Sequence, residues 1–223
     1  MDGIVVLLIM LVIPVIAQIN VTSTFNKYQK VRNSRGLTAD QVARQILDSN
    51  GLYHISIERI SGNLTDHFDP TANVIRLSDS VYGKSSVAAI GVAAHECGHA
   101  CQHAENYAPI QLRSTLVPIT NFCSKFWYFV FIIGVVMLEV FPALIYVGII
   151  MFGAVVLFQL VTLPVEFDAS NRALKTLEND SILEISEIPQ ARKVLTAAAL
   201  TYVTSLVVSL LQLLRLLASA KRR

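Results

Sequence analysis

Two histidines and a glutamate in the segment His95-Glu96-Cys97-Gly98-His99 have the types and the spacing of a metal-dependent hydrolase site. On a helix, residues four positions apart lie on one face, so the imidazoles of His95 and His99 can reach one metal ion. Glu96 lies beside that face, where its carboxylate can take a proton from a metal-bound water. This pattern indicates hydrolysis of an amide bond, in which zinc polarises the carbonyl and Glu96 acts as the general base.

A catalytic zinc ion usually has three protein ligands and one position for water, so a third ligand is needed. His103 continues the spacing of four, but eight residues of helix rise about 12 Å, which zinc–nitrogen bonds of about 2 Å cannot bridge. The metzincin pattern requires glycine three residues and histidine six residues after the second histidine. This chain has Gln102 and Glu105 there, which excludes that class. Cys97 and Cys101 share a helix face away from the two histidines, so a mixed cysteine–histidine site is the weaker alternative.

The composition is typical of a membrane protein. Hydrophobic residues make up 53% of the 223 residues and charged residues 15%, whereas a usual charged fraction is about 25%. The mean hydropathy is +0.54. A net charge of +2 gives no indication of nucleic-acid binding. Three cysteines do not make a disulfide framework, and packing is their simplest role.

Four apolar runs predict the membrane helices. The first begins at Ile4 and continues through Val21. Because its basic residues follow the run and do not precede it, we interpret it as an uncleaved anchor and not as a signal peptide. The second and third runs form a hairpin with residues 139–142 as the connection. The predicted spans are residues 4–21, 117–138, 143–163 and 194–218.

Residues 36–113 form the polar stretch that contains the motif. Thr38 is predicted to cap a helix that ends at Asn50-Gly51, and Ser85 or Ser86 to open the motif helix. The predicted elements are a helix after residue 38, strands at 55–60 and 74–77, and a helix from 85 or 86 to about 104. The fold class is therefore expected to be a mainly α membrane protein with a small α+β zincin-like domain.

The chain is predicted to divide into five parts. These are an N-terminal anchor (1–22), a zincin-like domain (23–115), a transmembrane hairpin (116–163), a polar segment with the third ligand (164–193), and a C-terminal membrane helix with a basic tail (194–223).

Charge placement predicts the topology. Lysine and arginine follow the first run and occur in residues 164–193, whereas the hairpin turn near Glu139 has none. Because positive residues accumulate on the cytoplasmic side, both polar segments are expected in the cytoplasm, although the tail Lys221-Arg222-Arg223 departs from this rule if the last run spans fully. A chain that leaves the domain at Arg113 and crosses twice returns to the same side. Glu166 is therefore expected beside the motif helix and is the better candidate for the third ligand.

Four segments carry a resemblance to a known family. They are residues 66–70 (DHFDP), 92–100 (VAAHECGHA), 163–170 (LPVEFDAS) and 199–203 (ALTYV). They resemble the YugP-like neutral zinc metallopeptidases of bacterial membranes, and the order of motif, hairpin and glutamate is similar to membrane-bound gluzincins of the HtpX/Ste24 type. The resemblance covers nearly the whole chain. It implies one zinc ion per chain, held by His95, His99 and Glu166, with Glu96 as the general base.

The residues that orient the ligands are less clearly indicated. Many gluzincins carry aspartate four residues after the ligand glutamate, and here that place is Ser170. Asp168 and Asp69 are the candidates for the orienting role, and Asp168 is preferred because it is close to Glu166 in sequence. Tyr202 and His67 are candidates to donate to the oxyanion of the tetrahedral intermediate, with ordinary packing as the alternative.

These observations predict a membrane-anchored zinc-dependent endopeptidase with its site at the cytoplasmic face of the cell membrane. The expected partners are a peptide or protein substrate and the lipid bilayer, without nucleic acid; oligomeric state and membrane partner proteins stay open. The strand at 74–77 is interpreted as an edge strand that aligns an extended peptide. The alternative from another class is a non-catalytic membrane scaffold or adaptor with a structural or vestigial zinc site.

Overall fold

The structure, a computed structural model, describes residues 3–221; Met1, Asp2, Arg222 and Arg223 lie outside it, and with them the end of the basic tail. The described residues form six α-helices and a three-stranded sheet. The elements are α1 Gly3–Tyr28, α2 Ala39–Ser49, β1 Ser56–Ile60, β2 His67–Asp69, β3 Val74–Ser78, α3 Val87–Ala104, α4 Ala108–Val136, α5 Ala143–Asn179 and α6 Ile188–Lys221. Helices α1, α4, α5 and α6 are long and apolar enough to span a membrane. The predicted mainly α membrane protein with a small mixed part is confirmed.

The two helices of the polar domain begin where their capping residues are. Thr38 precedes α2, and its backbone N–H donates to Gln41 Oε1 at 3.0 Å. Ser86 precedes α3, and its Oγ accepts from the Ala89 N–H at 3.2 Å. A capping side chain or box supplies partners that the first turn of a helix lacks, which is why these starts were predictable.

The small sheet has the order β1-β3-β2, so the prediction that the 74–77 strand lies at an edge is wrong. Strand β3 is central, pairing parallel with β1 and antiparallel with β2. Its residues Val74, Ile75 and Leu77 are buried, as a central strand requires. The edge next to the motif helix is β2, a three-residue strand too short to show an alternating pattern in the sequence.

Helix α1 is both a candidate membrane span and part of the main core. It continues seven residues past the predicted end at Val21 to Tyr28. Phe25 is 1% exposed and packs with Tyr28 among buried residues of α2, α3, α5 and α6. Burial of these two aromatic side chains explains why the helix does not stop where the apolar run ends.

The hairpin helices are longer than the apolar runs that predicted them. Helix α4 begins at Ala108, and α5 continues without interruption through Pro164 to Asn179. Beyond residue 163 the helix is amphipathic, and Val165, Ala169 and Ala173 are buried at a spacing of four. Glu166 therefore lies inside a long helix, not at the start of a new one. This helix connects the membrane hairpin directly to the polar domain.

Candidate metal centre

Three side chains from two helices bring their ligand atoms to one point. Glu166 Oε2 lies 3.3 Å from His95 Nε2 and 3.6 Å from His99 Nε2. The ligand atoms all lie within 4.8 Å of one another. Zinc bonds of about 2.0–2.1 Å at tetrahedral angles place ligand atoms about 3.3 Å apart, so this arrangement fits the ion. Two imidazoles with one carboxylate also form a donor set found in catalytic zinc sites.

Helix geometry and one glycine bring these groups together. His95 and His99 lie one turn apart on α3, with ring centroids 4.6 Å apart and ring planes at 81°. Gly98 lies against α5, where an added Cβ would be 2.6 Å from the Ala169 carbonyl oxygen. Because glycine has no side chain, α3 can approach α5 closely at this point. The approach places both histidines within reach of Glu166.

A hydroxyl group contacts the far nitrogen of the first histidine. Ser170 Oγ lies 3.1 Å from His95 Nδ1. A serine hydroxyl can accept the Nδ1 proton, which leaves Nε2 free to face a metal. Ser170 stands where many gluzincins have aspartate, so a weaker acceptor occupies the same place. The structure thus gives an orienting partner for His95 at the position that the sequence left unassigned.

A buried glutamine contacts the far nitrogen of the second histidine. Gln102 is 0% exposed, and its Oε1 lies 3.0 Å from His99 Nδ1. Its amide nitrogen donates to the Val165 carbonyl and to Asp168 Oδ2, each at 2.8 Å. Because two acceptors use both amide hydrogens, Oε1 must face the histidine, and Nδ1 must carry the proton. Gln102 thereby orients Nε2 of His99 towards the ligand cluster.

Asp168 contacts Gln102 and not a histidine, so it is one hydrogen bond further from the candidate ligands than the sequence suggested. It holds Gln102 and also accepts from Arg172 Nε at 2.6 Å. Arg172 in turn donates to Glu105 at 2.7 Å. Sequence reasoning singled out Asp168 but missed Gln102 as an intermediary. The available signal was that Gln102 follows His99 by three residues on one helix, the spacing of neighbouring side chains.

The charges around the cluster affect the second histidine. Burial lowers the pKa of His99, whereas its hydrogen bond to Glu166 and the negative charge of Glu96 raise it, and the net result lies above the ordinary value. An imidazole binds zinc in its neutral form, so a raised pKa means that a proton would compete with a metal ion for His99. Burial raises the pKa of the Cys97 thiol well above its ordinary value, and its Sγ contacts the Ala43 carbonyl. Among residues 3–221, the ligand cluster contains no cysteine.

Two cavities flank the candidate site, and five residues line both of them. The shared residues are Asp66, His95, Glu96, Glu166 and Tyr202. The first cavity, about 250 Å³, has walls that include Val92, Val194, Leu195, Ala198 and Ala199, and is here called the apolar cavity. The second, about 300 Å³, includes His67, His103, Arg113 and Ser114, and is here called the polar cavity. A chain passing from one cavity to the other crosses the ligand cluster.

Glu96 lies between the cavities with its carboxylate free. It is 7% exposed, and no hydrogen bond or ion pair joins it to another side chain within residues 3–221. Asp66, which the sequence reasoning did not select, lines the same space and accepts from the Ser78 N–H and hydroxyl. Burial, together with the charge of Glu96, raises the pKa of Asp66 despite these hydrogen bonds. Glu96 is the carboxylate left available for proton transfer.

Of the remaining predicted residues, Tyr202 and His67 lie at the candidate site and Asp69 lies outside it. Tyr202 lines both cavities, and His67 lines the polar cavity, with Nδ1 2.9 Å from the Thr65 carbonyl oxygen. Asp69 is not brought to the ligand histidines: it pairs with Arg76 at 2.8 Å, and the Arg76 guanidinium lowers the pKa of Asp69.

Arg113 is a cation at the site that the sequence reasoning did not select. Its guanidinium Nη1 lies 3.5 Å from Glu166 Oε1, the oxygen that does not face the histidines. The positive charge of a guanidinium beside this oxygen favours the ionised form of the carboxylate, which is the form that binds a metal.

Comparisons with known proteins identify relatives of this chain. A family model described as "Putative neutral zinc metallopeptidase" matches residues 3–221. The chain is also 48% identical over 199 residues to the "Putative membrane protease YugP" of Bacillus subtilis (strain 168), an alignment that covers 89% of this chain and 88% of the relative. No solved structure matches.

Proposed function

The chain belongs to the family described as putative neutral zinc metallopeptidases, and from this premise we propose that it is a membrane-anchored zinc-dependent endopeptidase. One observation carries the proposal. The ligand atoms of His95, His99 and Glu166 meet beside the unpaired Glu96 carboxylate, between two cavities that can hold a peptide on either side. A structural zinc site is usually closed by four protein ligands, whereas this cluster has three.

The ligands and the base have separate roles. His95, His99 and Glu166 would hold one zinc ion per chain. The ion, when bound, supplies Lewis-acid polarisation of a carbonyl and an acidified water. Glu96 accepts the proton of the attacking water and passes it to the leaving amine. Ser170 and Gln102 keep the histidines in the tautomer that turns Nε2 towards the metal.

The cavity walls indicate how a substrate is held. Strand β2 is the sheet edge beside α3, and its residues His67 and Phe68 line the polar cavity. An extended peptide can add to such an edge through main-chain hydrogen bonds. Tyr202 borders both cavities, in a position to donate to the oxyanion that forms between them. Arg113 adds positive charge to the same side.

We place the active site on the cytoplasmic side of the cell membrane. The candidate site lies where α3 meets the part of α5 beyond its apolar run. Lys27, at the end of α1, and Arg192 and Lys193, near the start of α6, lie at the membrane ends of their helices on this side. The excess of cations there is the feature that favours a cytoplasmic location.

The test combines zinc content with cleavage. Full-length protein in detergent should contain one zinc per chain and cleave an unfolded protein such as casein. Glu96→Gln should retain the zinc and lose cleavage, and the matched control Glu178→Gln, an exposed glutamate on α5, should retain both. Cleavage by Glu96→Gln at the normal rate, or zinc without cleavage in the unaltered protein, would favour the scaffold or adaptor alternative.

A further inference from the structure

A second groove lies between α1 and α6, separate from the catalytic cavities. Its volume is about 390 Å³. Lys27 on α1 and Arg192 and Lys193 on α6 line it, all three with exposed side chains. This set of residues is called the cationic groove below. It does not share a residue with the apolar or the polar cavity.

The charges in the cationic groove are not neutralised by the protein. No aspartate or glutamate lines the groove. Within residues 3–221, none of the three cations takes part in an ion pair. Lys27 Nζ lies 5.3 Å from the centroid of the Tyr28 ring, which is uncharged. Three positive charges around one space of this size favour an anion.

The positive charges of the groove lie at one of its ends. Lys27 lies at the end of α1 and Arg192 near the start of α6, so the cations gather at one end of the helix pair. Away from them the groove is lined by Thr24 and Asn20 on α1 and by Thr196, Ala197 and Leu200 on α6. Both helices are candidate membrane spans. From the cations the lining passes to the hydroxyl groups of Thr24 and Thr196 and then to Leu200 beside Asn20, which approximates the order of groups in a phospholipid.

We propose that the cationic groove binds an anionic phospholipid, with its phosphate between Lys27 and the Arg192–Lys193 pair. The hydroxyl groups of Thr24 and Thr196 lie within the same groove and can donate to the glycerol and phosphate oxygens. The acyl chains lie along Leu200 and the lipid-facing side of α1. The bilayer supplies this ligand where the two helices enter it.

The bound lipid would lie on the side of the α1–α6 pair opposite to the apolar cavity. On α6, Val194, Leu195 and Ala198 face the apolar cavity, whereas Lys193 and Thr196 face the cationic groove. On α1, Val21 lines the cavity and Thr24 the groove. The α1–α6 pair thus separates lipid from substrate. Lipid binding at this site does not depend on the proposed peptidase activity.

The test measures lipid affinity directly. The full chain in detergent is titrated with phosphatidylglycerol or with phosphatidylcholine of the same acyl chains. Native mass spectrometry measures how much lipid is bound. We expect phosphatidylglycerol to bind at least about tenfold more tightly, since each cation near a lipid headgroup contributes roughly a fivefold change. The triple substitution Lys27→Gln, Arg192→Gln, Lys193→Gln should remove this preference.

A matched triple substitution separates the groove from net charge. Arg35→Gln, Lys84→Gln and Lys175→Gln remove three exposed cations outside the groove and should keep the preference. Should the groove triple not fold, single Lys27→Gln and Arg192→Gln each serve, with an expected loss of about fivefold. Equal affinity for the two lipids, an equal loss in the control triple, or displacement of the lipid by inorganic phosphate would overturn the proposal.

Discussion

Gly98 of α3 faces the Ala169 carbonyl of α5 so closely that a Cβ on Gly98 would lie 2.6 Å from that oxygen. The residues around this contact are those of the candidate site. Ser170, next to Ala169, bonds His95, and Glu166 lies four residues before Ser170 on the same helix. The spacing of the two helices at Gly98 therefore sets the distance between the histidines and the carboxylate.

Gly98→Ala should separate the helices and weaken zinc binding. The atom that the new methyl group would meet is backbone, which cannot rotate away, so the overpacking should cost about 1–3 kcal/mol of stability. Zinc per chain by metal analysis and the Tm with zinc present should both fall. Gly91→Ala is the control in the same helix, because its Cβ would meet Ala191 Cβ at an ordinary 3.6 Å. If both variants keep their zinc, the helix spacing does not limit the site.

Gln102→Leu should weaken zinc binding without changing any ligand. Leucine approximates the volume of glutamine but cannot hold His99 in its tautomer, and loss of an outer-shell partner typically costs about 10–100-fold in metal affinity. The measurement is competition for zinc with a chelating dye. Gln190→Leu, at a half-buried glutamine of α6 whose side chain bonds the Ser186 carbonyl and no residue of the site, should leave the affinity unchanged. An unchanged affinity in Gln102→Leu would mean that packing alone orients His99.

Glu166→Gln should lose zinc, whereas His103→Ala should not. The amide is a poor substitute for an anionic ligand, and the expected loss exceeds the about 10–100-fold effect of an outer-shell partner. Because bound zinc stabilises the folded state by mass action, EDTA should lower the Tm of the unaltered protein and of His103→Ala, but hardly that of Glu166→Gln. The opposite pattern would indicate that His103, and not Glu166, is the third ligand.

Asp69→Asn should affect stability but not zinc. The Arg76 guanidinium lowers the pKa of Asp69, so the ionised pair stabilises the fold above the unfolded pKa of about 3.9 and ceases to do so as the pH falls through the lowered pKa. The Tm of Asp69→Asn should lie below that of the parent at pH 7, and the difference should vanish in acid. The comparison is made on metal-free protein, and zinc content is measured separately at pH 7. A loss of zinc affinity in Asp69→Asn would instead indicate that Asp69 belongs to the zinc site.

Local patterns in the sequence were sufficient for the parts of the fold that local interactions decide. Thr38 and Ser86 mark the starts of α2 and α3 because a cap needs only the first helical turn. The apolar runs predicted all four membrane helices, but not their ends. Tyr28 and Ala173 extend α1 and α5 through contacts with the core, which composition does not reveal.

Contacts between distant segments account for what the sequence did not reveal. Gln102 bonds Asp168 across 66 positions of sequence, and Arg113 meets Glu166 only when α4 and α5 are packed. Strand β2 was missed, and β3 was assigned to the edge, because sheet order depends on tertiary pairing. The contact of Glu166 with the histidines also joins distant segments, but it was predictable because the motif around Glu166 and the return of the hairpin both indicated the same carboxylate.

Helix α5 joins a membrane span and Glu166 in one uninterrupted element of 37 residues. A spanning helix adapts to the hydrophobic thickness of its bilayer by tilting. Because Glu166 lies on α5 and His95 and His99 lie on α3, a change in the tilt of α5 would act on the contact between the two helices at Gly98 and Ala169. We therefore expect the hydrophobic thickness of the bilayer to affect the distance between Glu166 and the two histidines, and with it the proposed zinc site.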